Sequence, residues 1–356
     1  DKIIKMKHIK IANKKVGLKY PPFLIAEAGI NHKGNLKRAL KMIEVAKKAG
    51  VDAVKFQTFK ADEFISNKKK NYRYFSKGKW VNESMYDMFK RYELSEDCWY
   101  KIKKKCKDEK IIFLSTPQNY SDLKILLKVG VPAIKVGSDD FNNTPLIKKY
   151  AKTKLPLILS SGMANMKEIK QTLKEVHYKK HPVILMLCVS QYPTAPKDVN
   201  LLRLNNLKKL FPNLVLGFSD HTRGPLASSI AVSLGAKCVE KHFTLDNNDN
   251  GPDHWFSENP EGLRIWSNSI RTAYKMLGKS VIKPTKGEED MRIIARRSIV
   301  AYRNIKPGIR INEKDLCFKR PGNGLPPSKI NEIIGLRAKI FIPKDKQIRK
   351  NLLHNG

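Results

Sequence analysis

For its size, this chain is shortest of acidic residues. Only 33 Asp and Glu stand against 70 Lys and Arg, a formal net charge of +37 over 356 residues. Such an excess raises nucleic acid as a partner, because clustered cations are its electrostatic footprint. Arginine is scarce too, 15 against 55 lysines, and arginine is the residue that reads bases and grips phosphates bidentately. The lysines run along every helix-like segment without interleaved aromatics or a recognition motif. They read as a solvated surface, and no nucleic-acid partner is expected. Cysteine is sparse: Cys98, Cys106, Cys188, Cys238 and Cys317 show no metal or redox spacing, which suits a reducing, cytoplasmic setting. No apolar run approaches the roughly 18 residues of a membrane span, and the lysine-rich N-terminus has no signal-peptide core. No membrane association is expected.

Hydrophobic content of 41% and charged content of 29% are globular values. The length suits one large α/β domain with a small one, or two to three ordinary domains. Residues 1–22 are basic and close on Pro21 and Pro22. Residues 23–26 then read as a short buried strand ending in Glu27. Leu36, Ala39, Leu40, Ile43 and Ala46 follow at helical spacing with Gly50 as a C-cap, and residues 53–57 form the next strand. The unit recurs through strand-like runs at 111–114, 133–136, 157–159, 183–187, 214–218 and 238–242. Eight strand–helix alternations by about residue 277 match a (β/α)8 TIM barrel. A doubly wound open sheet is the alternative, but no glycine-rich phosphate loop follows the first strand.

Between Lys60 and Leu94 an irregular insertion carries Tyr72, Tyr74, Phe75, Trp80, Tyr86, Phe89 and Tyr92. It reads as a long loop that covers the active site or packs on another subunit. The domain division expected is a barrel over 1–278, a charged linker over 279–296, and a small β-rich domain over 297–356. The last is short for a core of its own, so it is expected to lean on a barrel, its own or a partner's.

Barrel chemistry gathers at the carboxyl ends of the strands. Those ends carry Glu27; Lys55 and Gln57; Ser115 and Thr116; Lys135, Ser138 and Asp140; Ser160 and Ser161; Ser190 and Tyr192; Ser219 and His221; Glu240 and His242. Lys55 and Lys135 interrupt apolar runs, so each faces a polar cavity or is expelled past the strand end. Converging with Thr116, Ser138, Ser160 and Ser219, they would hold a phosphate and a carboxylate. His221 and His242 end consecutive strands, each beside a carboxylate (Asp220 and Glu240). Two histidines leave several coordination positions open, which suits Mn²⁺ or Mg²⁺ better than zinc. Glu27, close to the eighth strand in a closed barrel, is the candidate general base.

Taken together, residues 25–32 (IAEAGINH), 54–57 (VKFQ), 160–163 (SSGM), 217–222 (GFSDHT), 240–243 (EKHF) and 251–253 (GPD) resemble the N-acetylneuraminate (sialic acid) synthase family. Residues 297–299 and 319–322 resemble that family's C-terminal antifreeze-like (SAF) domain. The resemblance implies condensation of phosphoenolpyruvate with an N-acylated mannosamine-type sugar to a nine-carbon acid, with release of phosphate. It implies that Lys55, Thr116, Lys135, Ser138, Ser160 and Ser219 hold phosphoenolpyruvate, and that His221 and His242 hold a divalent cation, Mn²⁺ ahead of Mg²⁺. It implies further that Glu27 acts on water, that Gln57, Asp140, Tyr192 and Asp253 contact the sugar, and that Arg320 joins them from the small domain of a partner in a domain-swapped homodimer. Sialic acid synthases commonly carry Asn at the position of Ser190 and Glu at that of Asp140. Synthases of legionaminic and pseudaminic acids, which take 2,4-diacetamido-2,4,6-trideoxyhexoses, share these motifs and are the alternative, as is another enzyme condensing phosphoenolpyruvate with an aldose.

Overall fold

The eight apolar runs become one parallel sheet in the computed structural model, which describes residues 8–355. Its strands are β1 (Phe23–Gly29), β2 (Ala53–Thr58), β3 (Ile112–Pro117), β4 (Ile134–Val136), β5 (Leu157–Ser160), β6 (Val183–Cys188), β7 (Val215–Asp220) and β8 (Cys238–His242). They pair in the order β3-β2-β1-β8-β7-β6-β5-β4, and β3 lies against β4, so the sheet curls into a near-closed barrel. A helix follows each strand: α1 (Leu36–Lys48), α2 (Glu96–Asp108), α3 (Tyr120–Val129), α4 (Thr144–Ala151), α5 (Met166–Glu175), α6 (Arg203–Leu210), α7 (Leu226–Ser233) and α8 (Pro260–Met276). The TIM-barrel expectation holds, and the open sheet is excluded.

Successive residues of a strand face opposite sides, and that alternation sorts the chemistry. Leu24, Ala26, Val54, Phe56 and Phe113 face the helices and pack with Ala39, Met42, Ile43 and Trp266. The intervening residues face the barrel axis: Phe23, Ile25, Ala53, Leu114, Ile158, Ile184, Met186 and Cys238 form an apolar inner layer. One step further along each strand, the same inward face carries Glu27, Lys55, Thr116, Lys135, Ser160, Cys188, Ser219 and Glu240. Thus Lys55 sits in an apolar run because its neighbours Val54 and Phe56 belong to the other face.

The basic N-terminal stretch conceals an element. Ile9–Ile11 pairs antiparallel with Lys14–Val16, and Ile9, Ile11 and Val16 join the inner layer beside Phe23 and Cys238. The hairpin plugs the end of the barrel away from the polar residues. Its exposed lysines mask the apolar alternation in the sequence.

Not all charged groups of the strand ends belong to the inward layer. Lys241 faces outward, with its ammonium 3.1 Å from Asp220 Oδ2 and donating to the carbonyls of Thr222 and Gly224. Ser228 donates to the same carboxylate at 2.5 Å, and Trp266 Nε1 donates to Ser228 at 2.8 Å. This network ties β7 and β8 to α7 and α8. Removing one partner of a fully buried pair strands the other charge, so Lys241→Met should lower unfolding free energy by about 3–5 kcal/mol. Denaturant unfolding measures it, and adding Asp220→Asn should recover part of the loss. A single-variant loss below about 1 kcal/mol, the range of exposed pairs, would show the pair to be solvent-satisfied.

The chain divides into two compact units, the second beginning at Lys279. In it, Ser298–Ala301 pairs with Leu316–Lys319, and Arg337–Ala338 with Leu353–His354. Ile299, Ile305, Ile311, Ile333, Ala338, Ile342, Ile348 and Leu353 form a core of its own, where a dependent domain was expected. The charged stretch before it is not featureless: Glu289–Ala295 is helical, and Gly322 N donates to Ile293 O at 2.6 Å.

Candidate active site

Glu27, Lys55, Gln57, Thr116, Lys135, Ser138, Ser160, Tyr192, Ser219, His221, His242 and Asp253 line one cavity of about 640 Å³ at the carboxyl end of the barrel. The parallel register brings Glu27 opposite both Lys55 and His242. Just past Glu27, a bulge in the β1–β2 pairing and a left-handed Gly29 (φ +51°) end the strand. Asn31 Nδ2 donates to Phe243 O at 2.9 Å, fastening the β1 end to that of β8.

Four buried charges alternate in sign. Lys55 Nζ is 2.8 Å from Glu27 Oε2 and 3.8 Å from Glu240 Oε1, which is 3.6 Å from Lys135 Nζ. Hydroxyls complete the cluster: Lys55 donates to Thr116 at 3.1 Å, Lys135 to Ser160 at 2.7 Å, and Ser219 to Glu240 at 3.4 Å. Burial pushes the Glu27 carboxyl above its usual range; Lys55 opposes the rise and Glu240 adds to it. Burial acts on Glu240 in the same sense, but Lys135 and Lys55 outweigh it and hold that group low. The arrangement pairs a carboxylate that takes up a proton readily with one that stays ionised.

The two imidazoles lie with ring centroids 5.4 Å apart. His221 Nδ1 is 2.7 Å from Val189 O, which fixes that nitrogen as the donor and frees Nε2. His242 is held neutral, far below its ordinary range, by burial and then by His221, Lys55 and Lys135. Its Nδ1 is buried with no hydrogen-bond partner among the described residues, 3.8 Å from Asp253 Oδ2. The neutral His242 with an orphaned buried nitrogen, beside His221 with its Nε2 free, fits a metal-binding pair. Among the described residues no group of three or more His, Cys, Asp or Glu converges as a metal cage. Asp253 is pushed up to about 7 by burial and by Glu27.

Other expectations move. Asp140 is not on the cavity wall; its carboxylate accepts from Asn143 Nδ2 at 2.9 Å, and Asp139 faces the cavity instead. Strand alternation ends at Val136, so the turn decides which aspartate points inward. Asp220 does not accompany His221 in the site, since it lies on the outward face with Lys241. Ser115 likewise faces outward, paired with Thr58 at 2.7 Å. Ser161 donates to Met186 O. Arg320 belongs to the second unit. The central place of Glu240, bridging both lysines, was legible in its two-residue spacing from His242.

The insertion is ordered. Two short helices, Ala61–Phe64 and Met85–Tyr92, flank a hairpin of Asn71–Ser76 with Lys79–Ser84. Tyr74, Met88 and Tyr92 of the insertion pack with Ile30 and Phe59 in one small core. Phe64, Tyr72, Arg73, Phe75, Trp80 and Phe89 reach the cavity wall, so the segment covers the site.

A family model described as the NeuB family matches residues 42–282, and one for the SAF domain matches residues 296–354. An uncharacterized protein of Methanocaldococcus jannaschii is 42% identical over 94% of this chain and 95% of its own length. The N,N'-diacetyllegionaminic acid synthase of Legionella pneumophila is 38% identical over 88% of this chain and 90% of its own. The crystal structure of an N-acetylneuraminic acid (sialic acid) synthetase from Leptospira borgpetersenii serovar Hardjo-bovis, in complex with citrate, aligns with a TM-score of 0.71. That match has 33% identity and covers 80% of this chain and 94% of the other.

Proposed function

This chain belongs to the NeuB family, and from that premise we propose that it condenses phosphoenolpyruvate with an N-acylated hexosamine to a nine-carbon nonulosonic acid, releasing phosphate. The observation that carries the reading is the buried Lys55–Lys135 pair, ringed by hydroxyls and opening on the cavity that also holds both histidines. Two ammoniums and four hydroxyls suit a small substrate carrying both phosphate and carboxylate.

In this reading Lys55, Thr116, Lys135, Ser138, Ser160 and Ser219 bind and orient phosphoenolpyruvate. Gln57, Tyr192 and Asp253 position the sugar with its aldehyde carbon facing the enol carbon. Asp139 takes the place first given to Asp140. A divalent cation held by His221 and His242, Mn²⁺ ahead of Mg²⁺, would polarise the aldehyde oxygen. The methylene carbon of phosphoenolpyruvate bonds to the aldehyde carbon as its double bond opens, and the aldehyde oxygen gains a proton from solvent. Water then adds to the phosphate-bearing carbon, with Glu27 accepting its proton. The tetrahedral centre collapses by breaking its bond to the phosphate oxygen, leaving a 2-keto acid. The aromatic cover over the cavity limits access of water to the sugar-binding end. The proposal includes Arg320 as a sugar contact from a partner copy in a domain-swapped homodimer.

The test is phosphate release from phosphoenolpyruvate with N-acetylmannosamine, with a 2,4-diacetamido-2,4,6-trideoxyhexose, and with simple aldose phosphates, the products being weighed by mass spectrometry. The expected result is a nine-carbon acid from an N-acyl sugar, lost with a chelator and restored by Mn²⁺. Turnover of aldose phosphates alone would overturn the reading.

A further inference from the structure

The two imidazoles of the site are held by different means. A metal-ligating histidine ordinarily donates its second ring nitrogen to a fixed acceptor, which sets the plane of the ring. His221 has that acceptor in Val189 O, at 2.7 Å. His242 Nδ1 has none among the described residues, and the carboxylate facing it, Asp253 Oδ2, stays at 3.8 Å. What packs on the His242 ring instead is aromatic. The Phe256 ring lies 5.4 Å away at 62°, and the Tyr192 ring 5.9 Å away at 83°. Phe256 also meets Tyr192 at 5.2 Å, and Tyr192 lies over His221 at 4.2 Å and 35°. Phe256 therefore reaches one histidine directly and the other through a single ring.

Phe256 is itself braced. It is buried, in the loop between β8 and α8. Asn247 Nδ2 donates to His254 O at 2.9 Å and to Ser257 O at 2.7 Å, pinning the backbone on both sides of it. Its neighbour Trp255 packs on Phe75 of the hairpin cover, with centroids 4.9 Å apart, and Gly251 N donates to Ser76 Oγ at 3.2 Å. Close-packed side chains sit in defined rotamers, so a braced Phe256 restricts the His242 ring as a hydrogen bond restricts His221.

We propose that Phe256 is a positioning residue for the imidazole pair, setting the plane of His242 directly and supporting that of His221 through Tyr192. The proposal rests on the reading of the two histidines as holders of a divalent cation, and adds what keeps them in register. Phe256 also lines the cavity, so a sugar contact is the competing role. The two roles separate when no substrate is present.

Mn²⁺ is titrated into the metal-free protein without substrates, and the unbound ion is read by its electron paramagnetic resonance signal. Phe256→Ala should weaken Mn²⁺ binding about tenfold or more, the scale on which supporting groups around a metal act. Phe256→Tyr, which keeps the ring, should stay within about threefold of the unaltered protein. Phe256→Leu fills the space without a ring and carries the expectation of the alanine variant if that one does not fold. Affinity within about twofold of the unaltered protein in the folded ringless variant overturns the positioning role, whether or not the KM for the sugar rises. An equal loss in the tyrosine variant overturns it as well, since the ring is then not what matters. An unaltered protein that binds no Mn²⁺, or a His221→Ala variant that binds it equally well, removes the metal site itself and the positioning role with it.

Discussion

Replacing Glu27 with glutamine is expected to lower kcat by about 10²- to 10⁴-fold, the usual contribution of a positioned general base. The change preserves shape: Gln57 Nε2, 3.1 Å from Glu27 Oε1, keeps an acceptor, while the group proposed to take the proton from water is lost. Burial raises the Glu27 carboxyl, so in the unaltered enzyme the acid limb of the pH–rate profile lies above the ordinary carboxylate range. Activity falls as pH drops through that limb, because the base must be ionised to act. The glutamine variant should show a flat profile there. A variant keeping more than a tenth of kcat, with the acid limb intact, would assign the base elsewhere.

Lys135→Met should act on phosphoenolpyruvate itself. In the intact cluster two ammoniums balance Glu27 and Glu240; without Lys135 the balance turns negative, and Glu240 keeps only Lys55. Removing one partner of a buried charge pair to a bound anion costs about 2–5 kcal/mol, which corresponds to a loss of roughly 30- to 5,000-fold in kcat/KM for phosphoenolpyruvate. The KM for the sugar should move far less. Lys135→Met with Glu240→Gln should recover part of the loss by removing the stranded carboxylate. Equal losses for both substrates would show that Lys135 supports the barrel rather than the anion. Initial rates with each substrate varied in turn, and circular dichroism to confirm folding, separate these outcomes.

The amino-acid sequence by itself determined the eight-strand order of elements and the axial position of the polar layer. Both follow from local geometry, because a strand has a period of two, and a residue two places from an inward histidine or lysine is inward as well. Glu27, Lys55, Gln57, Thr116 and Lys135 are therefore legible before any fold is built. Only the tertiary structure decided what lies past the strand ends or behind the sheet. Asp139 rather than Asp140 faces the cavity because a turn has no period. Asp220 and Lys241 turned out to be an outward tie between strands and helices, since which buried charge meets which depends on barrel closure. The hairpin of Ile9–Ile11 and Lys14–Val16 became a plug only where a barrel left an apolar end to fill. The packing of Phe256 on Tyr192 and His242, too, exists only where the loop after β8 returns to that strand.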